Sequence, residues 1–128
     1  MNSTTAIKIM LWIVASVLLF HVSILVKIIP YEITWGGRLN NDTEMYVFET
    51  ISILINGLLF LILLIKGKYV KECISIKAVT IILWVFTILF SLNTIGNIIA
   101  ETLFEKLFAL LTFVSVVLLW IILQKDKK

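Results

Sequence analysis

Seven ionisable or hydrogen-bonding side chains interrupt long apolar runs in this sequence of 128 residues. Such side chains are costly inside a membrane and commonly mark a binding site or a proton pathway. Positions i, i+3 or i+4, and i+7 share one face of a helix, and the second and third runs each carry a polar stripe with this spacing. A histidine on the first run accompanies them. The set comprises His21, Glu49, Ser52, Asn56, Asn93, Asn97 and Glu101.

If the runs cross a membrane in alternating directions, all seven residues fall in its outer half or at its outer surface. We therefore predict an outward-facing polar pocket shared by three helices. The alternative is structural: Ser and Asn side chains hydrogen-bond between helices, at about 0.6 to 2 kcal/mol each. Gly96 and Ala100 would favour such packing by letting another helix approach closely.

Other chemistry has less support from these residues. A metal site would need His21 with Glu49 or Glu101, and the chain offers one His and no HxxxH spacing. A proton relay through the same three residues is better supported, because imidazole exchanges protons near neutral pH. Nucleotide-binding glycine loops, Gly-x-Ser-x-Gly and HExxH are all absent from the sequence. We predict no catalytic residue, metal or cofactor, and an enzyme has little support.

The segment between the first two runs has a pattern of its own. Residues 31–35 alternate between apolar and polar types, and Gly36-Gly37 favours a two-residue turn, which together predict a short β-hairpin. Arg38 is the only arginine, and its guanidinium suits a carboxylate or phosphate. We predict that Trp35 and Arg38 form a lid that contacts a lipid head group or an anionic ligand. Alternatively, Trp35 anchors the loop at the interface and Arg38 pairs with the loop's own acidic residues.

The elements that must position these residues are four apolar runs. The chain is 61% hydrophobic and 15% charged, outside the usual globular balance. A helix needs about 20 apolar residues to cross a hydrocarbon core. We predict an all-α membrane protein, an antiparallel bundle of four transmembrane helices forming one domain over residues 1–128. The predicted spans are about 9–29, 46–65, 78–100 and 106–123, with an outer loop 30–45 and a cytoplasmic loop 66–77.

Basic residues predict the orientation, because short cytoplasmic loops retain positive charge. Three basic residues, Lys27, Arg38 and Lys106, flank one side of the predicted spans. The other eight flank the opposite side, and they are Lys8, Lys66, Lys68, Lys71, Lys77, Lys125, Lys127 and Lys128. Both termini are therefore predicted to be cytoplasmic, in a multi-pass protein of a cell membrane. The preference for Lys over Arg and the abundance of Ile and Asn indicate a bacterial source.

Two functions are compatible with these residues. The first is a non-enzymatic role, as an accessory subunit or as a binder of a small molecule or lipid. The second is a small oligomeric transporter or proton-coupled carrier. In size and number of spans the chain is similar to small multidrug resistance transporters, which work as dimers. Their hallmark Glu in helix one has no counterpart here, because the first run offers only His21.

The expected partners are the bilayer, a small molecule, lipid or membrane protein, and a second copy of the chain. Nucleic acid is excluded as a partner, because the basic residues flank apolar runs.

Overall fold

The computed structural model describes residues 1–31, 39–99 and 103–124. Within these ranges lie four long helices: α1 (Ser3–Leu25), α2 (Asp42–Lys66), α3 (Ile76–Ile98) and α4 (Leu103–Gln124). Each has the length and apolar composition needed to cross a membrane. This confirms the predicted all-helical class with four apolar helices. The described ranges contain no strand, and the predicted β-hairpin falls mainly on residues 32–38, outside them, so it stays a prediction.

Side-chain caps determine where three of the helices begin. Asn2 Oδ1 accepts a hydrogen bond from the Thr5 backbone N–H at 2.8 Å, and Asn41 Oδ1 accepts one from Glu44 at 2.9 Å. Ser75 Oγ does the same for Ala78. Such caps satisfy backbone donors that have no partner within the helix. These three helices therefore begin two to six residues before the predicted spans, whose bounds rested on apolar residues alone.

Two lysines end helices in the left-handed backbone region. Lys27 has φ 67° just after α1, and Lys68 has φ 64° just after α2. The next residue then donates back into the helix, as Ile28 N does to Ser23 O at 2.8 Å. This turn ends α1 at Leu25, although the first span was predicted to continue to residue 29.

We expect Lys68→Gly to stabilise the protein slightly. A left-handed conformation costs an L-residue about 1 to 2 kcal/mol, whereas the added freedom of glycine in the unfolded chain offsets about 0.4 to 1 kcal/mol of that. The expected net gain in free energy of unfolding is about 0.5 to 1 kcal/mol. Denaturant titration of the detergent-purified protein, followed by circular dichroism, measures it. Lys71→Gly is the matched control, because Lys71 lacks a positive φ and should gain nothing.

The bundle has an apolar half and a polar half. The main hydrophobic cluster joins the beginnings of α1 and α3 to the ends of α2 and α4. Met10, Leu63, Leu83 and Leu119 are fully buried there. Trp84, which no sequence feature explains, packs edge-on against Trp120 in this half, with ring centroids 5.6 Å apart. The predicted polar stripes lie on the opposite halves of the same helices.

The four helices do not contact one another equally. α3 packs most extensively on α4, and α1 packs on α2. α1 also contacts α4, while the contact between α2 and α3 is the least extensive of these four. The bundle is therefore more open between α2 and α3 than on its other sides.

Candidate functional site

A cavity of about 330 Å³ lies within the polar half of the bundle, and all four helices line it. Apolar and aromatic side chains make up most of its wall. Polar side chains converge on it from each helix, as is typical of small-molecule sites. They are His21, Ser52, Asn56, Asn93, Asn97, Glu105, Thr112 and Ser115.

His21 and Glu49 form a hydrogen-bonded pair beside the cavity. His21 Nδ1 lies 2.6 Å from Glu49 Oε2, which ties the end of α1 to the beginning of α2. Glu49 is completely buried, and the His21 side chain is 13% exposed. With the carboxylate at Nδ1, a neutral imidazole has an acceptor at Nε2 and an imidazolium has a donor there. His21, which lines the cavity, can therefore interact with either kind of ligand group.

Glu105 is a site residue that the sequence analysis missed. It is 4% exposed in the first turn of α4 and lines the cavity. The predicted fourth span began at residue 106, which placed Glu105 in a loop. Glu105, Phe108, Thr112 and Ser115 follow the spacing i, i+3, i+7 and i+10, which puts them on one helical face. The same spacing test that singled out Glu49, Ser52 and Asn56 would have found this stripe, had it been applied to the fourth run.

Three phenylalanines form an aromatic wall next to His21. The Phe20 ring stacks on Phe104 with centroids 5.3 Å apart and lies 5.7 Å from Phe108. It also meets the His21 ring edge-on at 5.7 Å. These rings connect α1 to α4 and place a flat apolar surface beside the polar groups. The cavity can therefore accommodate a hydrocarbon portion and a hydrogen-bonding portion of one molecule.

Hydrogen bonds partly support the alternative that the polar side chains hold the helices together. Thr94 and Thr112 bond to each other at 2.8 Å between α3 and α4, as His21 and Glu49 do between α1 and α2. Asn56, by contrast, donates to the Ser52 carbonyl of its own helix at 2.8 Å. No heavy atom of another helix lies within 4 Å of the place that a Cβ on Gly96 would occupy, so the close helix approach expected there is not made within the described chain.

The structure brings most of the predicted pocket residues together. Five of them line the same cavity: His21, Ser52, Asn56, Asn93 and Asn97. Glu49 adjoins it through His21. Glu101 and both predicted lid residues, Trp35 and Arg38, lie outside the described residues. That these side chains bind a ligand stays a prediction. Within the described ranges, no three His, Cys, Asp or Glu side chains group together as a metal site would require.

Contacts between the end of α1 and the beginning of α2 stabilise the polar end of the bundle. Lys27 pairs with Asp42, and its ammonium group lies 6.0 Å from the centre of the Tyr46 ring. The hydrogen bond and the charge of Asp42 raise the pKa of Lys27 above its ordinary value. On the alkaline side, Lys27 therefore keeps its charge, and the pair its attraction, until the pH rises above the ordinary pKa of lysine. Beside it, Leu39 packs with Ile24 and Met45.

Comparison of the chain with protein-family models, with curated proteins and with solved structures gives no significant match. The class that the fold itself defines is an all-helical protein with four helices able to span a membrane.

Proposed function

We propose that this chain is a multi-pass protein of a bacterial cell membrane that binds a small amphiphilic molecule in the cavity without transforming it. The observation that carries the proposal is the cavity, where polar side chains from four helices converge beside an aromatic wall. Its volume of about 330 Å³ lies near the lower end of the range of small-molecule sites, roughly 300 to 1,000 Å³. This suits a compact small molecule, or a lipid head group with the beginning of its chain. Between the two non-enzymatic roles, the cavity favours a binder over a purely accessory subunit.

An antiparallel arrangement with both termini in the cytoplasm belongs to this proposal. Contacts between the end of α1 and the beginning of α2, such as His21 with Glu49, support the first antiparallel pair. The pairing of Trp84, early in α3, with Trp120, late in α4, supports the second. The lysine-rich segments then lie together at the apolar end of the bundle, on the cytoplasmic side.

Cysteine labelling tests this orientation. In a Cys73→Ser background, we expect Asn40→Cys to react with a membrane-impermeant maleimide on intact cells and Lys68→Cys to react only after permeabilisation. The wild-type chain supplies an internal control, because its exposed Cys73 should also be protected in intact cells. Labelling of Asn40→Cys and Lys68→Cys from the same side would contradict the proposed topology.

A photoreactive monoacylglycerol tests ligand binding. This probe has a neutral glycerol head, which can hydrogen-bond to amide and hydroxyl side chains, a diazirine near the head and an alkyne at the chain end. In proteoliposomes we expect it to label the wild-type protein saturably, and unlabelled monoacylglycerol to compete. Labelling that rises linearly with probe and resists competition indicates ordinary contact with bilayer lipid, and the binding proposal would then be wrong.

The His21–Glu49 pair favours one alternative, a proton-coupled carrier. A titratable pair beside a cavity is a feature of proton relays in membrane proteins. Proteoliposomes loaded with a pH-sensitive dye distinguish the two functions under a potassium diffusion potential. If the protein is a carrier, the wild type should conduct protons and the Glu49→Gln variant should lose that flux. For a binder, we expect wild type, Glu49→Gln and protein-free vesicles to leak protons at the same rate.

A further inference from the structure

In the part of the chain that the structure describes, the cavity wall is exposed on one side only. Among the lining residues, those that are exposed lie on α2 and α3: Ile55 is 39% exposed, Leu89 is 37% exposed, and Asn93 is also exposed. The lining residues of α1 and α4 are buried or partly buried, as with Val14 at 2% and Ser115 at 3%. The contact between α2 and α3 is also the least extensive in the ring of helices. The exposure and the packing therefore place an opening between these two helices.

The opening faces the region that lipid would occupy. Outward-facing neighbours on the same helices are apolar, including Leu54 at 68% exposed and Ile88 at 60% exposed. Asn93 is a polar side chain among them, about 8 Å from the end of α3 at 1.5 Å per residue. An amide at that depth is costly against hydrocarbon unless a polar group lies beside it.

The polarity of the wall changes along α3, which borders the opening. Asn97 and Asn93 lie nearer the end of this helix, and Leu89 and Phe86 lie deeper. On α4, by contrast, Ser115 keeps a hydroxyl group in the deeper wall. The wall beside the opening thus runs from polar at the helix end to apolar near the middle. A lipid in the outer leaflet has the same polarity, with its head at the surface and its chain inward.

We infer that the cavity takes its ligand sideways from the outer leaflet, through a portal between α2 and α3 formed by Ile55, Leu89 and Asn93. The ligand class is a single-chain bilayer amphiphile whose head group hydrogen-bonds to amide and hydroxyl side chains. The head lies near Asn93 and Asn97, and the first carbons of the chain lie against the deeper apolar wall. This inference rests on the proposed binding function.

Narrowing the portal tests the route. The double variant Ile55→Trp/Leu89→Trp adds bulk at the two exposed lining residues. Leu54→Trp/Ile88→Trp is the matched control, because it adds the same bulk at adjacent exposed positions that do not line the cavity. The measurement is the time course of labelling by the photoreactive monoacylglycerol, added to preformed proteoliposomes and photolysed at intervals.

We expect the portal variant to acquire the competable label at least about fivefold more slowly than wild type, since a narrowed passage raises the barrier to access. The control variant should match wild type in both the rate and the final extent of labelling. Equal rates in all three proteins, with competable labelling intact, would overturn the lateral route and leave the binding function standing. If unlabelled monoacylglycerol does not reduce the labelling of wild type, both the lateral route and the binding function are wrong.

A parallel series with a photoreactive fatty acid identifies the head group. Faster or tighter labelling by this carboxylate probe would overturn the choice of a neutral hydrogen-bonding head.

Discussion

Glu49→Ala is expected to lower the free energy of unfolding by about 2 to 4 kcal/mol, because it removes a buried hydrogen-bond partner of His21 and opens a cavity in the bundle. Glu49 is completely buried and its Oε2 lies 2.6 Å from His21 Nδ1. Alanine removes this acceptor and leaves a void between α1 and α2. Glu49→Gln retains the size and a hydrogen-bonding oxygen, so its expected cost is smaller, about 1 to 2 kcal/mol.

Denaturant unfolding of the purified protein, followed by circular dichroism, measures both losses. Glu72→Ala is a matched control, because Glu72 is exposed in the loop between α2 and α3 and should change stability by less than about 0.5 kcal/mol. A double-mutant cycle with His21→Ala isolates the pair itself, and a coupling of about 1 kcal/mol or more is expected. A cost for Glu49→Ala as small as that for Glu72→Ala would show that the pair does not hold these helices together.

Ser115→Phe is expected to abolish most ligand binding without unfolding the protein. Ser115 is 3% exposed and lines the cavity, and its hydroxyl donates to the Leu111 carbonyl of its own helix at 3.0 Å. A phenyl group there enters the cavity and displaces the ligand. We expect the half-saturating concentration of the photoreactive monoacylglycerol to rise at least about thirtyfold, equivalent to about 2 kcal/mol.

Two further variants distinguish filling of the cavity from damage to the fold. Leu110→Phe adds an aromatic ring to the same helix at a position that is 65% exposed and outside the cavity, so binding should be unchanged. Asn56→Leu keeps a similar size and removes an amide, and we expect a smaller loss, about five- to tenfold. If Ser115→Phe is stably folded and still binds like wild type, the ligand does not occupy this cavity.

The sequence was sufficient to predict the helices but not all of their ends. Four apolar runs of membrane-spanning length indicate four helices whatever their packing, and the structure has four. The ends depend on local chemistry that hydropathy ignores. Asn2 and Asn41 cap helices before the apolar residues begin, and Lys27 ends α1 before the apolar residues stop.

The candidate site was only partly predictable, because depth in a span can be estimated from sequence and rotation between helices cannot. Depth placed His21 and Glu49 at the same level, but their 2.6 Å pairing depends on which faces of α1 and α2 meet. Glu105 was missed because the start of α4 was placed after it. Trp84 had no explanation until its partner Trp120, 36 residues later in the chain, was known.

The most direct test of the binding cavity is to locate the photoreactive monoacylglycerol on the chain by mass spectrometry after photolysis. A ligand held in the cavity should place its competable label on lining residues such as Phe20, Phe90 and Phe108. Lipid-facing residues such as Leu54 and Leu110 should carry only label that unlabelled monoacylglycerol does not reduce. Label spread evenly over the outward faces of all four helices, with none on the cavity wall, would contradict the proposed function.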